Sequence, residues 1–135
     1  MKQLCSFYIA DELFALDLEH VLRVVPATSF TSVPLASEVV AGLFNWRNQI
    51  VLMLNIHSAL GLPNPNDSAD NLLLLIESPR GLLGIIVDAV DDVVNVSEHS
   101  AQTLAALPSL VACAYPVNQR FLMLLDYQQL VQLVE

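Results

Sequence analysis

Gly42-Leu43-Phe44-Asn45-Trp46-Arg47-Asn48-Gln49-Ile50-Val51-Leu52-Met53-Leu54-Asn55 reads as two short strands joined by a tight turn. Leu43–Trp46 and Gln49–Leu54 are apolar runs of strand length, and Arg47-Asn48 sits between them as a turn. Asn tolerates positive φ better than other non-glycine residues, which suits Asn48 to that turn. Asn55 then offers a short side-chain oxygen to the free N–H groups of a following helical pattern. The same order returns downstream. Asn118-Gln119-Arg120-Phe121-Leu122-Met123-Leu124 repeats Asn48 to Leu54 at a spacing of 70, sharing Asn, Gln, Leu, Met and Leu.

Elsewhere in the chain, Leu13-Phe14-Ala15-Leu16 followed by Val21 to Val25 matches Leu82-Leu83-Gly84-Ile85 followed by Val90 to Val94, at a spacing of 69. Two matches in one order at nearly one spacing predict a duplicated small β unit. Strands are expected near Gln3–Ile9, Leu13–Asp17, Leu43–Trp46, Gln49–Leu54, Asn71–Ser78, Leu82–Val87, Val93–Val96, Leu110–Tyr115 and Arg120–Leu125. Helices are few and short. Asp126 precedes the clearest one, in which Tyr127, Leu130, Val131 and Val134 form one apolar stripe. Gly61–Asp70, rich in proline and turn formers, divides the chain near its middle. A chain of 135 residues holds one folding unit over 1–135, whose halves, divided near 61–70, are each too small to bury a sound core alone. The expected fold is mainly β: two small five-stranded barrels with pseudo-two-fold symmetry, plus short helices including a C-terminal one.

Composition narrows function by exclusion. A net charge of −9 with only five cations opposes binding to nucleic-acid phosphates and to anionic membranes. No apolar run reaches the roughly 20 residues of a membrane span. The N-terminus runs straight into a strand pattern, so a cytoplasmic location is expected. Cys5 and Cys113 have no spacing partners for zinc and read as reduced, packed thiols. Apolar residues make up 55% of the chain, which implies either a dense core or apolar surface kept for partners.

The opening stretch resembles the G-x-x-N-x-R-G-x-x-x-P-x-x-D signature of CheW-like domains. Asn48, Leu52 and Asn55 stand where the signature has Gly, Pro and Asp. Asp11 to Asp17 resembles the family's opening hairpin, Gly84-Ile85-Ile86-Val87-Asp88-Ala89-Val90 its G-h-x-V-D-x-V strand, and Leu122 to Leu130 its closing strand and helix. The resemblance covers essentially the whole chain. It implies two Src-homology-type barrels, no active site and no cofactor. It also implies an adaptor that joins the cytoplasmic tips of chemoreceptors to the regulatory domain of a CheA-type histidine kinase. The three departures leave open a specialised paralogue that serves a pilus-motility or other sensory array, or that binds one partner only.

By position, the resemblance places receptor contact at Val21, Gly42 and Arg47. Core packing accounts equally well for Val21, and a tight backbone for Gly42. Arg47 is the better candidate, because a cation in a turn beside an apolar strand is seldom needed for folding. Asn48, Asn55, Asn118 and Asp126 read as turn and cap residues. Asp88, Asp91 and Asp92, like Asp11, Glu12 and Asp17, lack the partners of a metal or acid–base site, and they read as solvated carboxylates. His20, His57 and His99 are single, Trp46 reads as a core or rim aromatic, and no nucleophile motif is present. No metal site is expected, and nothing favours an enzyme or a small-ligand barrel.

Overall fold

The computed structural model describes residues 1–27, 39–63, 71–103 and 107–134. Among the described residues ten strands run in the order β1 (Lys2–Ile9), β2 (Glu12–Asp17), β3 (Val21–Pro26), β4 (Val40–Trp46), β5 (Gln49–Leu54), β6 (Leu72–Ser78), β7 (Gly81–Val87), β8 (Ala89–Val96), β9 (Val111–Val117) and β10 (Arg120–Leu125). One helix follows, α1 (Tyr127–Gln132), and single 3-10 turns occupy Leu18–His20, Ser58–Leu60 and Glu98–Ser100. The expected strands are present, and β3 is an addition to them. Val21-Leu22-Arg23-Val24-Val25-Pro26 lacks clean alternation because a bulge lies between Val21 and Arg23, as befits an edge strand ending in proline.

The strands form two five-stranded sheets, an outer one ordered β8-β1-β2-β10-β9 and a middle one ordered β3-β6-β7-β5-β4. These sheets are not the two halves of the sequence. Each half gives its first two strands to one sheet and its last three to the other, so neither sheet can be assembled from one half. The division near 61–70 therefore separates the repeats and not the sheets; residues 64–70 themselves lie outside the described part. Beyond β8, Gln102 and Ala114 of β9 exchange backbone hydrogen bonds of 2.8 Å, and this isolated bridge ties the segment after one edge strand to the other edge strand of the outer sheet.

Register shows how the repeat is built. Val21 pairs with Ile76 as Val90 pairs with Phe7, in keeping with the spacing of 69. The spacing of 70 needs correction by one residue. Arg47 and Asn48 turn between Trp46 and Gln49, and Asn118 and Gln119 turn between Val117 and Arg120, so Asn48 corresponds to Gln119 and Leu52 to Met123. The aligned letters share identity, but the hairpins set the register.

Alternation explains the continuous apolar runs. In β6, Leu73 and Leu75 enter the middle sheet's own cluster, while Leu74 and Ile76 enter a larger cluster shared with the outer sheet. In β10, Leu122 and Leu124 pack inside the outer sheet and Leu125 in the shared core. Such strands are apolar on both faces because each face meets a core. The shared cluster joins Phe7, Ile9, Phe14 and Leu16 to Leu54, Ile76 and Ile85. Gly84 faces the middle sheet's interior, where an added Cβ would stand 3.0 Å from Val51 Cγ1.

Candidate functional site

The three residues singled out for receptor contact all belong to the middle sheet, but they do not share one edge. Val21 opens β3 at one side, and Gly42 and Arg47 lie on the β4–β5 hairpin at the other. Val21 is half-buried against the shared core. Gly42 is buried beside a bulge between Val40 and Gly42. Both residues shape their strands from within, whereas Arg47 is exposed.

The hairpin carries Arg47 outward by local chemistry. Arg47 and Asn48 have φ of 50° and 64°, the two left-handed residues of a type I′ turn. Asn45 Oδ1 accepts the Asn48 N–H at 3.1 Å and closes that turn. The Arg47 guanidinium stands 5.0 Å from the Trp46 ring centroid, and Trp46 packs on the rim of the middle sheet's cluster. A guanidinium held over an aromatic face keeps its donors free at its edge. Asn118 and Gln119 repeat the turn with φ of 48° and 68°.

Next to Arg47 the sheet leaves apolar surface open. On this hairpin Leu43 and Asn45 pair with Leu52 and Ile50, on the face opposite Phe44, Val51 and Met53. Ile50 is 61% exposed and Leu43 also lies open. A shallow groove continues from there, lined by Ile50, Leu52, Leu83 and Val134 with Ser78 and Arg80 at its rim. Leu22, freed by the bulge in β3, is exposed as well. Sequence reasoning missed these residues. An exposed isoleucine looks like a core residue until the pairing register shows its face.

Charge is unevenly spread over the sheets. Arg23, Arg47 and Arg80 lie in strands or turns of the middle sheet, with Glu77, whereas Asp11, Glu12, Asp17, Asp91 and Asp92 lie in those of the outer sheet and outnumber its two cations, Lys2 and Arg120. The outer carboxylates are engaged locally. Asp88 Oδ2 accepts the Ala10 N–H at 2.6 Å, Asp91 Oδ2 accepts the Ser6 hydroxyl at 3.4 Å, and Asp92 Oδ1 accepts the Val93 N–H at 2.8 Å. Buried Ser6 also donates to the Asp92 carbonyl and accepts its N–H, which locks the bulge in β8.

His20 is less isolated than its sequence position indicates. Ligand atoms of Asp17, Glu19 and His20 lie within 4.8 Å of one another. Lys2 pairs with Asp17 at 3.4 Å, Glu19 approaches His20 at 3.7 Å, and the His20 ring stacks on Tyr127 at 3.9 Å. Partners on the protein itself thus engage the group. Cys5 is buried, and burial pushes its thiol up, in keeping with a packed, unreactive side chain.

The cap residues behave differently in the two halves. Asp126 Oδ1 accepts from the N–H groups of Gln128 and Gln129 at 3.0 and 3.3 Å, as an N-cap should. Asn55 Oδ1 accepts from His57 N–H at 3.0 Å, but the 3-10 turn starts only at Ser58, so Asn55 closes a turn ahead of the helix.

Two sheets of one topology, exchanged between repeats and fused through a common core, define a duplicated all-β domain with apolar surface beside an arginine-bearing turn. The CheW-like domain family model matches residues 3–135, and the chain belongs to that family. It is 30% identical over 105 residues to the chemotaxis protein CheW of Treponema pallidum (strain Nichols), covering 75% of this chain and 62% of that protein. It is 24% identical over 97 residues to CheW of Thermotoga maritima, covering 72% and 64%. The crystal structure of scaffolding protein TtCheW from Thermoanaerobacter tengcongensis superposes with a TM-score of 0.84 at 25% identity, over 93% of this chain and 84% of that one. Among the described residues no helix is long and apolar enough to cross a membrane.

Proposed function

We propose that this chain is a chemotaxis coupling adaptor. It binds the cytoplasmic tip of a chemoreceptor through the middle sheet and the regulatory domain of a CheA-type histidine kinase through another face. It acts in the cytoplasm as one folding unit over residues 1–135, by binding alone, without a cofactor or chemistry of its own. The observation that carries this reading is the family match over residues 3–135, with likeness to a scaffolding protein over 93% of the chain.

The surface gives the reading a physical form. Exposed Leu43 and Ile50 supply apolar area, and Arg47 beside them supplies a fork of donors for carboxylates or carbonyls. Apolar contact contributes most of the affinity and Arg47 fixes register. Val21 and Gly42 act through strand shape more than through direct contact. The arginines of the middle sheet steer an acidic partner, while the acidic outer sheet leaves a chemically different face for the second one.

The test is to mix the full chain with a receptor-tip fragment and a kinase regulatory domain and to follow the complexes by sedimentation. A ternary complex is expected. Binding to neither partner, or mutually exclusive binding, overturns the proposal.

A further inference from the structure

His57 is the one buried side chain among the described residues whose polar atoms have no hydrogen-bond partner: it is 1% exposed, and both Nδ1 and Nε2 are unpaired. A buried polar group without a partner is costly, so its presence calls for an account. The repeat makes this sharper. The matching residue after the Asp126 cap is Gln128, which is exposed, so the fold does not require a buried polar ring at this point.

The ring has no easy way out. Asn55 Oδ1 holds the His57 N–H, and the His57 carbonyl accepts from Leu60 N–H at 3.1 Å and Leu62 N–H at 2.8 Å. Its neighbours Ile56 and Leu60 are part of the shared core. Residues 55–62 contain no other charged or titratable group. The charged group that acts on His57 is Asp88, in the turn between β7 and β8. Asp88 is already committed to the outer sheet: its N–H donates to the Tyr8 carbonyl at 2.9 Å, and its Oδ2 accepts the Ala10 N–H.

We propose that His57 is an acid-sensitive latch between the two sheets, closed while its ring is neutral and opened when a proton is added. An imidazolium has no partner where the neutral ring sits, so a protonated ring must leave the core or draw on the Asp88 carboxylate, whose Oδ2 already holds the Ala10 N–H, and either change bears on the junction between the first hairpin and the middle sheet. Burial pushes the imidazole below its ordinary value of 6.5, and the Asp88 carboxylate opposes that shift only in part. The folded state therefore binds the proton less readily than the unfolded state. The stabilising contribution is present above about pH 6.5 and is lost as pH falls through the depressed folded value.

The test is an NMR titration of the His57 ring in the full chain, with amide hydrogen exchange at Ala10 and Asp88 followed at each pH. A midpoint below 6.5, with loss of protection at both amides as the ring protonates, is the expected result. A midpoint at or above 6.5, or a ring that titrates while both amides stay protected, overturns the proposal. His57→Met provides a second readout. Between about pH 7.5 and about pH 5, wild type should lose roughly 3 °C more in thermal midpoint than the variant. Equal losses also overturn it, and if the variant does not fold, the wild-type titration decides.

Discussion

The two sheets share one strand order and differ in the charge that faces outward. Inside, matched positions carry matched chemistry: Leu122 and Leu124 of β10 fill the outer sheet as Val51 and Met53 of β5 fill the middle one. On the surface, the middle sheet presents Arg47 beside exposed Ile50, while the outer sheet has Asn118 beside exposed Phe121 at the matching positions, so the apolar side chain recurs and the turn cation does not. Carboxylates outnumber cations on the outer sheet, and arginines outnumber carboxylates among the described residues of the middle one. Packing constrains both copies alike, whereas surfaces are free to differ when they meet different partners. The difference between two copies within one chain therefore separates what the fold needs from what binding needs.

Separating the halves should have the severest consequence. Chains covering 1–63 and 71–135 each lack strands from both sheets, so each alone should remain unfolded by circular dichroism, and mixing them should restore the β spectrum. A half that folds alone would show that the strand exchange is dispensable. Next in size is Phe7→Ala. Phe7 is fully buried in the shared core, and its removal should cost about 3–5 kcal/mol. Although Phe7 belongs to the outer sheet, Trp46 fluorescence from the middle sheet should shift with the far-ultraviolet signal as a single transition. Two separate transitions would mean that the sheets unfold independently. Ser6→Ala is milder. It leaves the N–H and carbonyl of Asp92 unpaired at the bulge and should lower denaturant stability by about 1–3 kcal/mol. Leu75 stands opposite Arg23 in the other copy without any such bond, so Leu75→Ala should read as lost packing alone.

Most strands were legible because a short apolar run between turn formers has few other outcomes. Val21–Pro26 was not, because a bulge breaks its period and an edge strand needs less apolar surface. The duplication was legible in letters, but the strand exchange was not. Which half supplies a neighbour is a property of contacts such as Met123 with Phe14 and Leu83 with Leu52, which no local pattern encodes. Arg47 was legible as an exposed turn cation. Ile50 and Leu43 were not legible as surface, since only cross-strand register assigns their face. His57 gave no signal, because a single histidine in a sequence does not reveal its burial.

Two smaller effects are expected at the turns. Left-handed backbone costs an ordinary L-residue roughly 1–2 kcal/mol, and glycine gives back about 0.5–1 kcal/mol in chain entropy. Asn is among the residues that tolerate this region best, so Asn48→Gly should raise stability by less than about 1 kcal/mol, measured by urea unfolding. Arg47→Glu should change stability least, by about 0.5 kcal/mol, since it loses only an exposed contact with Trp46.

Arg47→Glu is nevertheless the variant that decides the account, because it reverses charge on the middle sheet and leaves the outer sheet untouched. Wild type and variant should be titrated against a receptor-tip fragment and against a kinase regulatory domain, with thermal unfolding recorded on the same samples. Receptor-tip affinity should fall by about 2–5 kcal/mol, while kinase affinity and thermal midpoint stay close to wild type. Unchanged receptor affinity in a folded variant, or loss of both partners together with stability, would contradict the assignment.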